Sequence, residues 1–404
     1  MFHHHQFPNG LTLLAETYPH RKSFTLLHLC PAGSANDPPR KEGLTALVCE
    51  MMLRGAGPRG NRDFLEAMDA LGIHRSEAVY PFGMEFQGSL LAENWEGAVH
   101  LYADMIRAPR FSPEEWEAAR QTQLQEAVDE DPAEYLMKCL KEHFYGTVWG
   151  HDADGKREDL EKIRWEEVVS HYRKWIRPNG MVLAAAGNFE WEQLRRVVEE
   201  RYGDWTPIDV PPLEAPQLHW EPFHKSWDSE QTHLGLAWET LPFAHPDRLT
   251  AWAGFSVLGD GMSGRFYNEI REKRGLCYSV EASCHSLKEK GGVFSLMATR
   301  PKKAAQALDL LLTEVARLGD GISCEELAAL KARSQSSLVR LRESSSAWCQ
   351  RMVQDWYYLE RVRSPEEILR QVENLSLDSI NDYLANHPVS PILIATCGSR
   401  AVSR

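Results

Sequence analysis

Short apolar runs alternate with long two-faced stretches along this chain, and their periods separate strands from helices. Alternating positions mark strands over Thr12 to Tyr18, Thr25 to Cys30 and Thr232 to Trp238, and hairpin-like segments over Met84 to Leu91 and Gly291 to Ala298. From Gly43 to Gly55 the period changes: Leu44, Leu47, Val48 and Met51 fall on one helical face, and Gly55 is a natural stop. Met181 to Ala186 and Ile392 to Cys397 read as continuous apolar strands, each closed by a glycine.

The same elements recur in the same order. Ser112-Pro113-Glu114-Glu115-Trp116 opens a long helix in the first half and Ser323-Cys324-Glu325-Glu326-Leu327 opens one in the second. The apolar strands at Met181 and Ile392 are separated by the same interval as these two helix starts. One spacing shared by two element types predicts a duplicated unit. Strands that cluster apart from helices give an α+β fold: two homologous domains, each a mostly antiparallel sheet with helices packed on one side. Between Trp205 and Trp220 the prolines at 207, 211, 212 and 216 interrupt all periodicity. The expected division is a domain over 1–207, a linker over 208–225 and a second domain over 226–404.

A chain of 404 residues is too long for one core, and 43% hydrophobic with 25% charged residues is an ordinary globular composition. The net charge of -13, without a segregated basic patch, excludes a nucleic-acid partner from the expectation. No apolar run approaches the ~20 residues of a membrane span, and the first residues lack a secretory pattern, so the expected location is the cytoplasm. The eight cysteines, none in a C-x-x-C pair, read as reduced thiols. His3-His4-His5 places two imidazoles on one face of an extended segment, too few at a mobile terminus to complete a tetrahedral metal site. Gly259, Gly261 and Gly264 spell G-x-G-x-x-G, but Trp252 to Leu258 before them reads as a helix end, whereas a dinucleotide fingerprint follows a strand.

The Gly43 to Gly55 helix, with Ala32-Gly33-Ser34 and Asp37-Pro38-Pro39 before it, resembles the segment of pitrilysin/insulinase zinc peptidases that carries the inverted motif H-x-x-E-H. In that family two histidines bind zinc and the glutamate acts as general base. Here those positions are Ala46, Cys49 and Glu50. A methyl group cannot ligate, and cysteine is a poor substitute for the carboxylate. Glu126 stands at the family's third-ligand spacing, while its upstream companion is Ala119. Glu50 and Glu126 then either hold a hard cation weakly or form a hydrogen-bonded pair.

The stretch from Leu258 to Val280 resembles the same family's carboxy-domain signature over its whole length. The resemblance gives Arg271 and Tyr278 the roles of a substrate-positioning guanidinium and an oxyanion-stabilising phenol. Asn9-Gly10-Leu11, Arg177-Pro178-Asn179-Gly180 and Glu325-Glu326-Leu327 extend it along nearly the whole chain. Short members of the family pair two chains around a chamber for unfolded peptides, some as one zinc-bearing and one zinc-free subunit. The resemblance therefore implies a non-metal subunit of a heterodimeric peptidase: no cofactor in this chain, zinc in a homologous partner, and Arg271 and Tyr278 contributed to the partner's site. The alternatives are a non-proteolytic peptide-binding or assembly protein, comparable to the family's core subunits in respiratory complexes, and a homodimer with an altered metal site.

Overall fold

The computed structural model describes residues 1–128 and 131–402. It contains two β-sheets. The first comprises β1 (Phe2–Gln6), β2 (Thr12–Thr17), β3 (Ser23–Cys30), β4 (His74–Tyr80), β5 (Gly83–Leu91) and β6 (Val182–Gly187), ordered β1-β2-β6-β3-β5-β4. The second comprises β7 (Phe223–Ser226), β8 (Thr232–Thr240), β9 (Cys277–Ser286), β10 (Gly291–Thr299) and β11 (Leu393–Gly398), ordered β7-β11-β8-β10-β9. Without β1 the two orders are the same, strand for strand, so the duplication read from spacing is a duplication of topology. Only β2–β6 and β7–β11 pair in parallel; the other pairs are antiparallel.

The unbroken apolar character of β6 has a direct cause, since it is covered on both faces. Leu183 and Ala185 enter the main core with Leu13, Ala15, Phe24 and Leu26. Val182, Ala184 and Ala186 turn the other way, with Leu14, Leu27 and Leu29, toward Trp348, Cys349, Met352 and Val353. Those last four side chains come from the helix Ser345–Leu359, which belongs to the second half of the sequence. Reciprocally, Leu136, Leu140 and Phe144 of the helix Pro132–Trp149 pack on Ala237, Phe294, Leu393 and Ala395 of the second sheet.

The compact units therefore differ from a contiguous split. One holds Met1–Val128, His151–Glu214 and Leu341–Val362; the other holds the Pro132–Trp149 helix, Ala215–Arg340 and the chain from Arg363 onward. Most helices of each unit lie on one sheet face, and an exchanged helix covers the other. Each fully buried side chain of such a stripe contributes ~1.5–3 kcal/mol, which easily exceeds the intrinsic preference of a short helix. No helix or strand forms over 205–222, where the prolines crowd. No helix among the described residues is long and apolar enough to cross a membrane.

The amino terminus is a paired strand rather than a mobile tail. His3 stacks on Trp191 with ring centroids 4.8 Å apart, and His4 lies against Trp356 at 4.6 Å. Neighbouring imidazoles are thus turned to opposite faces.

Candidate functional site

In the first unit, chemistry would centre on the Leu44–Met52 helix. Asp37 organises its start: the carboxylate accepts from the N–H of Gly43 (2.9 Å) and Thr45 (2.8 Å) and from the Thr45 hydroxyl (2.6 Å). These are donors that the first helical turn would otherwise leave unmet. Burial pushes the Asp37 carboxyl up to about 7 even against these bonds, and burial lowers His171, 3.0 Å from the Thr45 hydroxyl, to about 4.

One turn further on, Ala46 and Cys49 are 5% and 6% exposed, so both motif positions belong to the core rather than to an open cavity. Burial raises the Cys49 thiol well above its usual range, and the nearby Glu77, Glu50, Cys30 and Glu126 add to the effect. The thiol is held protonated and is a poor ligand in that state. Glu50 is engaged by Arg54 one turn later, whose Nε (2.9 Å) and Nη2 (2.6 Å) both donate to Oε1. Arg54 also donates to the Thr122 hydroxyl (3.0 Å) and contacts Glu115 (3.3 Å).

Glu126 closes the helix Pro113–Glu126, and Ala119 of that helix is fully buried in the main core. Burial raises the Glu126 carboxyl, with Glu50 and Asp154 as further causes. The fold thus gathers Cys49, Glu50 and Glu126 in one neighbourhood. The motif positions do not fit zinc: Ala46 offers a methyl, Cys49 a protonated thiol, and Glu50 a carboxylate committed to a guanidinium. Among the described residues no group of three His, Cys, Asp or Glu side chains is placed to hold a metal ion.

In the second unit, Arg271 and Tyr278 are brought together by two backbone irregularities. The segment Tyr267–Glu272 is wound in wide π-helical turns, with Lys273 N–H donating to the Asn268 carbonyl (3.0 Å). Gly275, at φ +57°, ends it, its N–H donating to the Arg271 carbonyl at 2.8 Å. Next, β9 begins with a bulge: Val280 pairs with Met297 and Cys277 with Thr299, so Tyr278 and Ser279 together oppose Ala298. Both features recur where a fold must aim a side chain away from its regular lattice.

Here they place the Arg271 guanidinium 4.6 Å from the centroid of Tyr267 and 5.0 Å from that of Tyr278. Tyr278 is 82% exposed. The base beneath is firm. Thr299 donates to the Leu276 carbonyl (2.6 Å), and Arg265 forms a two-pronged pair with Glu326 (2.7 and 2.9 Å). Glu326 also exchanges hydrogen bonds with Ser323 at the start of the helix Cys324–Glu343.

Gly259 ends the helix Arg248–Gly259, and a Cβ there would lie 2.1 Å from the Ala282 nitrogen on β9. That glycine serves helix–strand contact rather than a phosphate turn. Arg54 and Tyr267 were absent from the residues picked out by sequence. Each stands four positions along a helical segment from a residue that was, and that spacing is the signal that would have found them.

Two units of one topology, one bearing a metal-motif helix without imidazoles and the other an Arg–Tyr pair on an irregular strand end, define a metallopeptidase-type chain with a degenerate metal motif. Residues 12–156 match the family described as Insulinase (Peptidase family M16) and residues 162–334 match Peptidase M16 inactive domain; the chain belongs to this insulinase/pitrilysin-type family. It is 26% identical over 381 residues to an uncharacterized zinc protease of Rickettsia felis, covering 92% of this chain and 91% of that one. It is 23% identical over 381 residues to the uncharacterized zinc protease YmxG of Bacillus subtilis, covering 92% of each. Among solved structures, a peptidase M16 inactive domain from Pseudomonas fluorescens superposes with a TM-score of 0.91 at 20% identity, covering 100% of this chain and 99% of that one. A chain of Complex III2 from Candida albicans superposes with a TM-score of 0.85 at 17% identity, covering 98% and 96%.

Proposed function

We propose that this chain is the non-metal subunit of a two-chain peptidase and works by lending Arg271 and Tyr278 to the active site of a zinc-bearing homologue. The observation that carries the reading is the contrast between the two units. The metal-motif positions are spent on core packing and on an internal ion pair, while Arg271 and Tyr278 are aimed by a π-turn and a bulge into an exposed cluster with no other evident task.

In this reading the partner's zinc supplies the activated water, and this chain's part is electrostatic. A guanidinium presents fixed donors to a peptide carbonyl, and the stacked Tyr267 and Tyr278 rings restrict the rotamers that Arg271 would otherwise have to give up on binding. The Tyr278 hydroxyl donates to the oxygen that gains charge as the carbonyl becomes tetrahedral, the role in which a preorganised donor counts most. The substrate class is unfolded peptide. Cysteines that form no disulfide among the described residues suit work in the reducing cytoplasm.

The test mixes this chain with a homologous subunit bearing an intact H-x-x-E-H and measures peptide hydrolysis. Wild type should raise the rate strongly, whereas Arg271→Ala and Tyr278→Phe, both folded, should lose at least ~100-fold of that rise. If both variants stimulate as well as wild type, the reading is lost and a non-proteolytic peptide-binding or assembly role takes its place.

A further inference from the structure

The helix Pro132–Trp149 lies close on the second sheet where β8 has no side chain to hold it off: a Cβ at Gly235 would come 3.1 Å from Leu140 and 3.6 Å from Leu136. Side chains alternate along a strand, so His233, Gly235 and Ala237 share this covered face, while Leu234, Leu236 and Trp238 turn into the unit's main core. Toward the first turns of the helix the two surfaces leave a cleft of about 470 Å³. Met137 of the helix and Leu296 of β10 are among its apolar walls, and its polar lining includes His233, Glu134 and Glu281. All of it belongs to one compact unit.

His233 is energetically out of place there. It is 5% exposed, yet neither ring nitrogen has a hydrogen-bond partner among the described residues. Burial lowers its pKa, with the Asp131 carboxylate acting the other way, so at neutral pH the ring carries one unmet N–H and one unmet lone pair. Leaving such groups unmatched costs stability that a leucine at the same position would not lose.

The charge around the cleft says what would match it. The helix start is already capped by a carboxylate, since Asp131 accepts from the Ala133 N–H at 2.6 Å. Glu134 and Glu281 add two more, against the single ammonium of Lys138. An anion is repelled from such a place and a cation is drawn to it. Met137 adds a flexible wall, able to shift as the imidazole turns one of its shielded nitrogens toward an occupant. At this volume the cleft takes one aromatic ring on a short chain.

We propose that this cleft binds a small organic amine, its ammonium donating to a His233 nitrogen in the negative field of Asp131, Glu134 and Glu281, and its apolar body lying between Met137 and Leu296. Arg271 and Tyr278 are not part of the lining, so the site works whether or not they serve a partner.

The probes are phenethylamine, neutral phenethyl alcohol and anionic hydrocinnamate, each titrated into the full chain by calorimetry. The amine should bind about tenfold more tightly than the alcohol, and hydrocinnamate should give no heat of binding. His233→Leu should abolish the preference for the amine while raising the urea midpoint, because it removes an unmatched buried group. The double variant Glu134→Gln, Glu281→Gln should lose most of the preference, and Arg271→Ala should leave it unchanged. Binding of none of the probes, equal binding of amine and alcohol, or a preference for hydrocinnamate overturns the proposal. So does a His233→Leu chain that keeps the ratio or unfolds at lower urea than wild type, or a ratio abolished by Arg271→Ala. Since His233→Leu is expected to gain stability, unfolding does not imitate the expected loss of recognition.

Discussion

Arg54 grips Glu50 through two nitrogens on a single carboxylate oxygen, at 2.9 and 2.6 Å, one helical turn apart. The pair sits where the family's second histidine would be and is about four-fifths shielded from water, at 16% and 19% side-chain exposure. An i,i+4 pair on an open surface contributes little, but a shielded one tied to Thr122 and Glu115 is costly to break from one side. The departure from a metal site is thus built into the helix by a replacement interaction and is more than a missing ligand.

That arrangement is reversible in principle. The triple variant Ala46→His, Cys49→Glu, Glu50→His restores H-x-x-E-H on a helix whose start is already fixed by Asp37, with Glu126 as the remaining donor, and Arg54 keeps Thr122 and Glu115. It should purify with about one zinc per chain, removable by chelator, while Ala46→His alone should not. Elemental analysis decides it. A triple variant that folds yet retains no zinc would remove Glu126 from the role of third ligand.

Gly259 and Gly261 should respond to alanine for different reasons and by different amounts. At Gly259 the added methyl meets the Ala282 backbone at 2.1 Å, and neither side can yield without shifting β9; about 2 kcal/mol of stability should be lost. Gly261 has nothing within 4 Å and only a positive φ of +78° to defend, which costs about 1 kcal/mol. Urea unfolding of both variants gives the order. In the partner assay Gly259→Ala should also blunt stimulation, because β9 carries Tyr278.

His28 predicts a specific acid sensitivity. Its Nε2 lies 2.9 Å from the Tyr202 hydroxyl, its ring stacks on Tyr102, and full burial lowers it to about 3. The unfolded chain takes up the proton near 6.5 and the folded chain refuses it until far lower. Stability from this group is therefore complete above 6.5 and falls as pH drops toward 3, by about 2 kcal/mol between 6.5 and 5. Asp37 and Glu85, both raised to about 7, act in the opposite sense, weakening the fold as pH rises through that range. The measurement is accordingly the difference between wild type and His28→Gln in urea at pH 7 and pH 5. A difference that does not change with pH would mean that His28 is protonated in the folded chain.

Much of this molecule is decided by neighbours a few residues apart, and that part the sequence alone determined. The continuous apolar run at Met181 to Ala186 reads as a buried strand. The equal spacing of Ser112 to Ser323 and Met181 to Ile392 predicts a repeated unit, and a methyl at Ala46 precludes a ligand there whatever surrounds it.

Tertiary structure alone decided what depends on distant surfaces. The apolar stripes of Pro132–Trp149 and Ser345–Leu359 would fit either sheet, since hydrophobic burial is non-directional, and only the packed chain shows that each covers the sheet of the other half. The bulge that frees Tyr278 and the π-turn that sets Arg271 between two rings likewise arise from pairing and packing between segments far apart in sequence, where local propensity has no say.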